Sequence, residues 1–167
     1  LGAGTFGTAI ANELSVNTDN NVILFSRDKE KVDEVNNFNT NKSSFPNKHL
    51  SQHLKATASK EEIANADVVL IALPSSNIIE YLLKLKEYFS KDVLFVNLSK
   101  GLFSGGQTIV DSIKESLGSS NVVSLKGPSF AVEVMEHADT LLTLGYDNEE
   151  QFQIINNLIK HTALHID

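Results

Sequence analysis

The sequence predicts an α/β fold with a doubly wound, mainly parallel sheet. Short continuous apolar runs, typical of strands buried on both faces, alternate with segments of helical periodicity. The chain opens on a G-x-G-x-x-G pattern at residues 2–7, which is followed by helical periodicity. Because this pattern lets a phosphate approach the backbone between a strand and a helix, it favours a Rossmann-like dinucleotide-binding fold. With 167 residues, the chain is long enough to bury one full core.

The elements are predicted to follow one another in regular alternation. Leu1 is predicted to be the last residue of a first strand that is largely missing from this sequence, which should expose a sheet position and lower stability. Apolar runs predict later strands at residues 22–25, 56–57, 67–73, 93–96, 122–125, 140–144 and 163–166. Periodicity and capping residues predict helices at about residues 5–14, 28–35, 59–66, 77–85, 107–117 and 149–160, with another starting at Pro128. Residues 36–53 are polar and poorly periodic, which predicts a long surface loop.

Each glycine of the opening pattern has a predicted role. Gly2 permits a tight turn after the strand, and Gly4 lets a pyrophosphate approach the backbone. Gly7 lets the following helix pack close to the sheet. The N-terminus of that helix offers N–H groups and a partial positive charge to the phosphates.

Composition excludes several classes of function. The formal net charge is −7, which argues against nucleic acid or an anionic membrane as the main partner. There is no cysteine, which excludes disulfides and cysteine nucleophiles and suits the cytoplasm, where we expect the protein. No apolar run approaches the ~20 residues of a membrane span. The five histidines show no spacing typical of a metal triad, so we expect no metal.

Residues suited to phosphate binding recur in the loops after the predicted strands. Ligands of such sheets bind outside the carboxyl ends of the strands. Five loops lie there, at residues 2–7, 26–28, 74–76, 99–101 and 126–129. Four of the five contain residues suited to phosphates, namely glycines, hydroxyls or a cation. This convergence predicts a dinucleotide site more strongly than the glycine pattern alone.

The residue after the second strand bears on which dinucleotide binds. NAD-specific sites usually place an acidic residue there, whereas this chain has Arg27. A guanidinium suits a 2′-phosphate and can stack on adenine, so the sequence favours NADP over NAD, or the use of both. Asp28 either binds the ribose or caps its helix, and a solvated Arg27 is the alternative interpretation.

Three further segments have both a functional and a purely structural interpretation. Pro74 and Ser75 lie where the nicotinamide half of a cofactor would bind, or they end a strand and cap a helix. Lys100 attracts a substrate oxygen, or it is an ordinary surface lysine. Backbone N–H groups of residues 126–131 hold an anion, or they form a helix-capping turn.

Four segments together resemble a known family. They are residues 2–9 (GAGTFGTA), 72–75 (ALPS), 99–101 (SKG) and 127–134 (GPSFAVEV), in that order. They resemble the NAD(P)-dependent glycerol-3-phosphate dehydrogenases of bacterial type, over the N-terminal half of that family. The resemblance implies reversible hydride transfer between NAD(P)H and dihydroxyacetone phosphate, which yields sn-glycerol 3-phosphate for phospholipid synthesis.

The resemblance also implies roles for individual residues. Lys100 would touch both cofactor and substrate and orient the substrate, and Gly127 and Ser129 would line the substrate site. The cofactor would be bound by Gly2, Gly4, Thr5, Phe6, Gly7, Arg27, Pro74, Ser75, Lys100 and Ala131. Phe6 stands where the family often has Trp, and the segment at Phe45 and Pro46 only loosely matches a family Tyr-Leu-Pro.

The resemblance implies a division of labour between two domains. Residues 1–167 correspond to an N-terminal NAD(P)-binding domain, and the family's general acid/base lysine belongs to a C-terminal helical substrate domain that is absent from this sequence. We therefore expect this polypeptide alone to bind cofactor without efficient turnover. A homodimer of the full-length protein is compatible with the resemblance. Two alternatives stay open: another Rossmann-type reductase of the hydroxyacid or ketopantoate kind, and a non-catalytic dinucleotide-sensing module.

Overall fold

The computed structural model describes residues 1–101, 105–127 and 130–167. Within them the helices are α1 (Thr5–Leu14), α2 (Lys29–Phe38), α3 (Ile78–Leu85), α4 (Ile109–Leu117), α5 (Ala131–Met135) and α6 (Glu149–Ile159). The strands are β1 (Ile23–Phe25), β2 (Lys55–Thr57), β3 (Val68–Ile71), β4 (Leu94–Asn97), β5 (Val122–Lys126), β6 (Thr140–Gly145) and β7 (Leu164–Ile166). Short 3-10 helices span Lys60–Asn65, Ser75–Asn77 and Lys86–Tyr88. The predicted alternation of strands and helices is confirmed.

The strands form a parallel pair and a five-stranded sheet. β1 pairs with β2, and the larger sheet has the order β3-β4-β5-β6-β7. Every pair is parallel except β5 with β6. β3, β4 and β5 direct their carboxyl ends to one edge, where the loops that follow them meet, whereas β6 and β7 run the opposite way. The predicted mainly parallel sheet is therefore confirmed.

Leu1 connects the two sheets. Its amine donates to the Leu70 carbonyl at 2.6 Å, and its carbonyl accepts from the N–H of Ala72 at 3.0 Å. On the other side, the N–H of Gly2 donates to the Phe25 carbonyl at 3.3 Å. Leu1 thus lies between β1 and β3 with the hydrogen bonds of a parallel strand residue. A cavity of about 400 Å³ continues beside it between the same two strands.

Apolar side chains cover both faces of the larger sheet. The side chains of residues 93–96 alternate between the two faces. Leu94 and Val96 pack in the cluster with α1, α5 and α6. Val93 and Phe95 pack in the cluster with α3 and α4. All four residues of β4 are buried. A strand that is buried on both faces has a continuous run of apolar residues in its sequence, which explains why the apolar run at residues 93–96 predicted this strand. The doubly wound arrangement is confirmed.

Two local predictions need correction. The capping box of Ser59 and Glu62 does not form: the Ser59 hydroxyl donates to Glu61 at 2.8 Å, and Glu62 accepts from the Thr57 hydroxyl at 3.0 Å. Both carboxylates are engaged by nearer hydroxyls, and the segment is a 3-10 helix. Helix α2 ends at Phe38 rather than near residue 35, because Asn39 adopts the left-handed conformation (φ 51°) that ends helices. Pro128, the predicted start of a helix, lies outside the described residues.

Candidate dinucleotide site

The glycine loop leaves the carboxyl edge of the sheet between β1 and β3. Gly2 has φ 101°, and a Cβ at this position would lie 2.4 Å from the Ala72 carbonyl oxygen. A Cβ at Gly7 would lie 2.1 Å from the Gly2 carbonyl oxygen. Both positions therefore require glycine for reasons internal to the fold. They hold the start of α1 against the end of β3.

Gly4 differs from the other two glycines of the loop. It is the N-cap residue of α1, with φ −77°, and a Cβ built on it would meet no atom within 4 Å. In the part of the chain that the structure describes, no side chain makes the cap hydrogen bond of α1. The exposed backbone at Gly4 and Thr5 can therefore present N–H groups and the helix dipole to an anion.

The loops after β3 and β4 are joined beside the glycine loop. Buried Ser99 donates its hydroxyl to the Leu73 carbonyl at 2.5 Å, and its own N–H donates to the Asn97 side chain at 3.0 Å. Gly101 has φ 108°, and a Cβ at this position would lie 3.8 Å from Ser75 Oγ. Residues 72–75 and 99–101 thus form one surface next to Gly2. Lys100 lies on this surface with its side chain exposed.

Arg27 occupies the end of β1 with an aromatic partner. Its guanidinium carbon lies 5.1 Å from the ring centroid of Tyr81, within range of a cation–π interaction. Burial raises the pKa of Tyr81, and the positive charge of Arg27 opposes this rise. The guanidinium is thus held at the edge of the sheet while it remains exposed, in contrast to a freely solvated side chain.

Asp28 caps its helix. Its carboxylate accepts from the N–H groups of Glu30 at 3.0 Å and Lys31 at 3.2 Å. Of the two roles considered from the sequence, the structure shows the cap. Lys31 in the same turn reaches back to the Ala3 carbonyl at 3.3 Å, so the first turn of α2 also contacts the glycine loop.

Asn41 is a site-supporting residue that sequence reasoning missed. Its side-chain amide is fully buried and donates to the Thr8 hydroxyl at 2.9 Å and to the Ala3 carbonyl at 3.3 Å. These bonds tie the long 39–54 loop to the glycine loop and α1. Nothing in the sequence distinguishes this asparagine from the others in a polar segment, because its partners are more than 30 residues away.

The segment after β5 is placed by β6 and by α1. A Cβ at Gly127 would lie 2.8 Å from the Leu141 carbonyl oxygen, so glycine is required there by the antiparallel neighbour. Helix α5 then begins at Ala131, which, like Phe6, packs against the apolar cluster that includes α1. Ser129, a predicted substrate residue, lies outside the described residues.

The structure therefore brings most of the predicted residues to one edge of the sheet. Residues 2–7 and 99–101 each contact residues 72–75, Arg27 follows the neighbouring strand, and Ala131 packs against the same apolar cluster as Phe6. Among the described residues there is no cluster of His, Asp and Glu that would hold a metal ion. Within those same residues, no helix has the length and apolar character needed to cross a bilayer.

Comparisons with known proteins agree with this geometry. The family described as NAD-dependent glycerol-3-phosphate dehydrogenase N-terminus matches residues 1–152. A glycerol-3-phosphate dehydrogenase [NAD(P)+] of Mesoplasma florum is 30% identical over 167 residues, covering 96% of this chain and 50% of the relative. The Bacillus subtilis enzyme of the same name is 34% identical, covering 84% of this chain and 42% of the relative.

Solved structures give the same result. The crystal structure of glycerol-3-phosphate dehydrogenase from Coxiella burnetii superposes with a TM-score of 0.86 and 26% identity, covering 99% of this chain and 51% of that one. The chain thus spans about half the length of the curated relatives it matches. A family match over most of the chain, together with a carboxyl-edge site that has the family's glycine loop, decides the assignment. The chain belongs to the N-terminal family of NAD-dependent glycerol-3-phosphate dehydrogenases.

Proposed function

We propose that this chain is the NAD(P)-binding domain of an oxidoreductase that interconverts dihydroxyacetone phosphate and sn-glycerol 3-phosphate. The observation that carries the proposal is the glycine loop, which is open at Gly4 and continuous with the Ser75 and Lys100 surface. The name shared by the relatives, glycerol-3-phosphate dehydrogenase [NAD(P)+], supports the same reaction. The cofactor supplies or accepts the hydride when it is bound.

The residues of this chain bind and orient the reactants. The N–H groups at the start of α1 hold the pyrophosphate, since a helix N-terminus favours anions. Arg27 binds the adenosine end, and its guanidinium also suits a 2′-phosphate. Lys100 attracts the phosphate or carbonyl oxygen of the substrate and polarises the carbonyl, so that the carbon accepts hydride more readily.

Proton transfer to the new hydroxyl is assigned to a residue outside residues 1–167. The resemblance places the general acid/base lysine in a C-terminal helical domain, and residues 1–167 correspond to the cofactor half. Without a positioned acid, the alkoxide that forms on hydride transfer has no efficient proton source. We therefore propose that residues 1–167 bind cofactor and that turnover requires the second domain.

The biological setting is part of the same proposal. Glycerol 3-phosphate made by this reaction would serve phospholipid synthesis in the cytoplasm, and the full-length protein would act on a small-molecule substrate, as a homodimer. The acidic composition, with a formal charge of −7, supports a small-molecule partner over nucleic acid or an anionic membrane.

Binding and turnover measured side by side test the proposal. We expect the protein to bind NADPH or NADH, detected by reduced-nicotinamide fluorescence, and to oxidise neither at an appreciable rate with dihydroxyacetone phosphate. Addition of the C-terminal domain should produce oxidation that depends on that substrate. Oxidation with a 2-ketoacid or ketopantoate in its place would favour the other reductase class. Binding without oxidation by the two-domain protein would favour a dinucleotide-sensing module.

A further inference from the structure

Glu13 is a buried carboxylate that the proposed reaction does not use. It lies in the last turn of α1, and its side chain is 2% exposed. One carboxylate oxygen accepts from the Ala163 N–H at 2.7 Å, just before β7. The other pairs with Nδ1 of His137, directly after α5. A single carboxylate thus joins three segments of the chain that are far apart in sequence.

Burial of this carboxylate carries a cost that its partners must offset. Removing an ionised carboxylate from water is expensive unless it is hydrogen-bonded and paired. An apolar residue would fill the same place between α1 and the sheet without that cost. Unlike an apolar side chain, a carboxylate makes hydrogen bonds of defined geometry, because its two oxygens accept only from donors at set positions. The Glu13 contacts therefore specify where His137 and the end of α5 lie.

Helix α5 depends on such contacts for its position. It has five residues, which is too short for a helix to be stable by itself. Val134 and Met135 pack it against α1 through the shared apolar cluster. Apolar contacts tolerate sliding and rotation better than a directed hydrogen bond does. The pair between Glu13 and His137 is the directed contact between the two helices.

The opposite ends of these helices face the candidate site. Both helices follow residues that leave the carboxyl edge of the sheet. The N-terminus of α1 is the glycine loop, and the N-terminus of α5 is Ala131. A contact between Glu13 and His137, the second residue after α5, thus bears on how the two helices, and with them their first residues, lie relative to each other.

We propose that Glu13 is a positioning residue: through His137 it holds α5 against α1, so that Ala131 faces the nicotinamide half of the bound cofactor. This inference rests on the proposed function and on the resemblance, which implies that Gly127 lines the substrate site and that Ala131 contacts the cofactor. Because hydride passes between the nicotinamide and the substrate, we expect Ala131 on the nicotinamide side. The adenosine end at Arg27 follows β1 and has no contact with this pair. The positioning effect should therefore be confined to one half of the cofactor.

The neighbouring charged pair is a weaker contact. Lys48, in the 39–54 loop, bonds to Glu136 of the same turn at 3.2 Å, with both side chains about half exposed. Exposed pairs of this kind contribute little. The pair of Glu13 and His137 differs in that the Glu13 carboxylate is buried, although the His137 side chain is about half exposed.

Two substitutions at His137 distinguish the loss of the side-chain donor from a change in backbone conformation. His137 has φ 58°, a conformation that glycine and asparagine both tolerate. His137→Gly removes the donor to Glu13, whereas in His137→Asn the side-chain amide stands at the same distance along the chain as Nδ1 and can donate. The matched surface control is His165→Gln, because His165 pairs with exposed Asp139 at 3.0 Å.

The readout compares two ligands under conditions in which far-UV circular dichroism shows each variant folded. The probes are NADPH and ADP-ribose, which lacks the nicotinamide. We expect His137→Gly to raise the Kd for NADPH about tenfold and to leave that for ADP-ribose within about twofold. His137→Asn should restore NADPH binding, and His165→Gln should match the unsubstituted protein.

Other results would overturn the inference. Equal losses for both ligands, or no rescue by His137→Asn, would show that the pair only stabilises the fold. Unchanged NADPH binding in His137→Gly would remove the role altogether. If His137→Gly does not fold, Glu13→Gln takes its place. It retains an acceptor for the Ala163 N–H and removes the charge from the pair, so a smaller loss with the same selectivity for NADPH is expected. If the unsubstituted protein binds neither NADPH nor NADH, the proposed function itself fails.

Discussion

The hydroxyl of Ser99 donates to the carbonyl of Leu73 at 2.5 Å, across the ends of two neighbouring parallel strands. Ser99 follows β4 and Leu73 follows β3, so the bond joins the two loops that carry Lys100 and Ser75. Neither loop belongs to the regular hydrogen-bond ladder of the sheet. The serine side chain extends that ladder by one contact, and it holds the two candidate binding segments together.

We expect Ser99→Ala to weaken both the fold and the site. Loss of the hydroxyl leaves the partly buried Leu73 carbonyl without this donor, which should cost about 1 kcal/mol of unfolding free energy. Cofactor affinity should fall several-fold because the two loops separate. Urea denaturation and NADPH titration measure the two effects. Ser76→Ala is the control, since that exposed hydroxyl only bonds to Asn77 at 3.1 Å, and a similar loss there would contradict the argument.

The glycines of the loop should respond to alanine in opposite ways. In Gly7→Ala the new Cβ would lie 2.1 Å from the Gly2 carbonyl oxygen, so the backbone must shift and stability should fall by about 3 kcal/mol or more. In Gly4→Ala the Cβ meets no protein atom within 4 Å, and the unfolding free energy should change by less than about 1 kcal/mol.

Binding should show the reverse pattern at Gly4. Its Cβ would project into the space through which a pyrophosphate is proposed to approach, so Gly4→Ala should weaken NADPH and ADP-ribose binding together. Thermal unfolding and fluorescence titration on the same samples measure both effects. Normal cofactor affinity in Gly4→Ala would place the pyrophosphate elsewhere.

Removal of the Arg27 charge should change the titration of Tyr81. Burial already raises the pKa of Tyr81, and the nearby cation opposes that rise by stabilising the phenolate. In Arg27→Gln the pKa of Tyr81 should therefore rise further. Ultraviolet phenolate titration, with Tyr81→Phe subtracted to isolate this tyrosine from the two others, measures the change. A lower pKa in Arg27→Gln would contradict the 5.1 Å contact.

The same variant should discriminate between the two cofactors. The proposed contact of Arg27 with a 2′-phosphate would be lost, so NADPH affinity should fall by about tenfold or more while NADH affinity changes little. Lys29→Gln, which removes an exposed cation two residues away, is the control. Equal losses of affinity for NADPH and NADH would mean that Arg27 does not bind the 2′-phosphate.

In a polypeptide prepared to begin at Leu1, the free amine should make stability depend on pH. Burial lowers the pKa of this amine from 8.0 to about 5. Between these values the unfolded chain binds a proton that the folded chain does not, so the unfolding free energy should rise with pH from about 5 to 8. The full gain is about 4 kcal/mol.

Acetylation at Leu1 provides the comparison. It keeps an N–H for the Leu70 carbonyl but removes the titrating charge, so the difference between the two forms isolates the amine. Denaturant unfolding at pH 5.5 and pH 8 should show the acetylated form to be more stable at the lower pH and equal at the higher. Equal stability at both would show that the amine is not buried.

Patterns within a few residues of sequence determined most of the fold. Val93 to Val96 form a continuous apolar run because their strand is covered on both faces, and this burial is visible in the residue types alone. The G-x-G-x-x-G pattern likewise predicted a strand, a turn and a helix, because steric demands at Gly2 and Gly7 leave no other residue type. The predicted ends of elements differed from the observed ends by a few residues where a capping residue ends the helix, as Asn39 does for α2.

Only the tertiary structure decided which polar residues support the site. Asn41, Glu13 and Ser99 are ordinary polar residues in the sequence, yet each is buried and bonds to a segment distant along the chain. The capping pair at Ser59 and Glu62 was wrong for the related reason that Thr57 and Glu61 compete for the same groups. Apolar burial follows local periodicity because it is non-directional, whereas a hydrogen bond depends on where its partner lies in three dimensions. The sequence alone therefore determined the layers of this protein and its glycine loop, and the folded chain determined which side chains hold that loop in place.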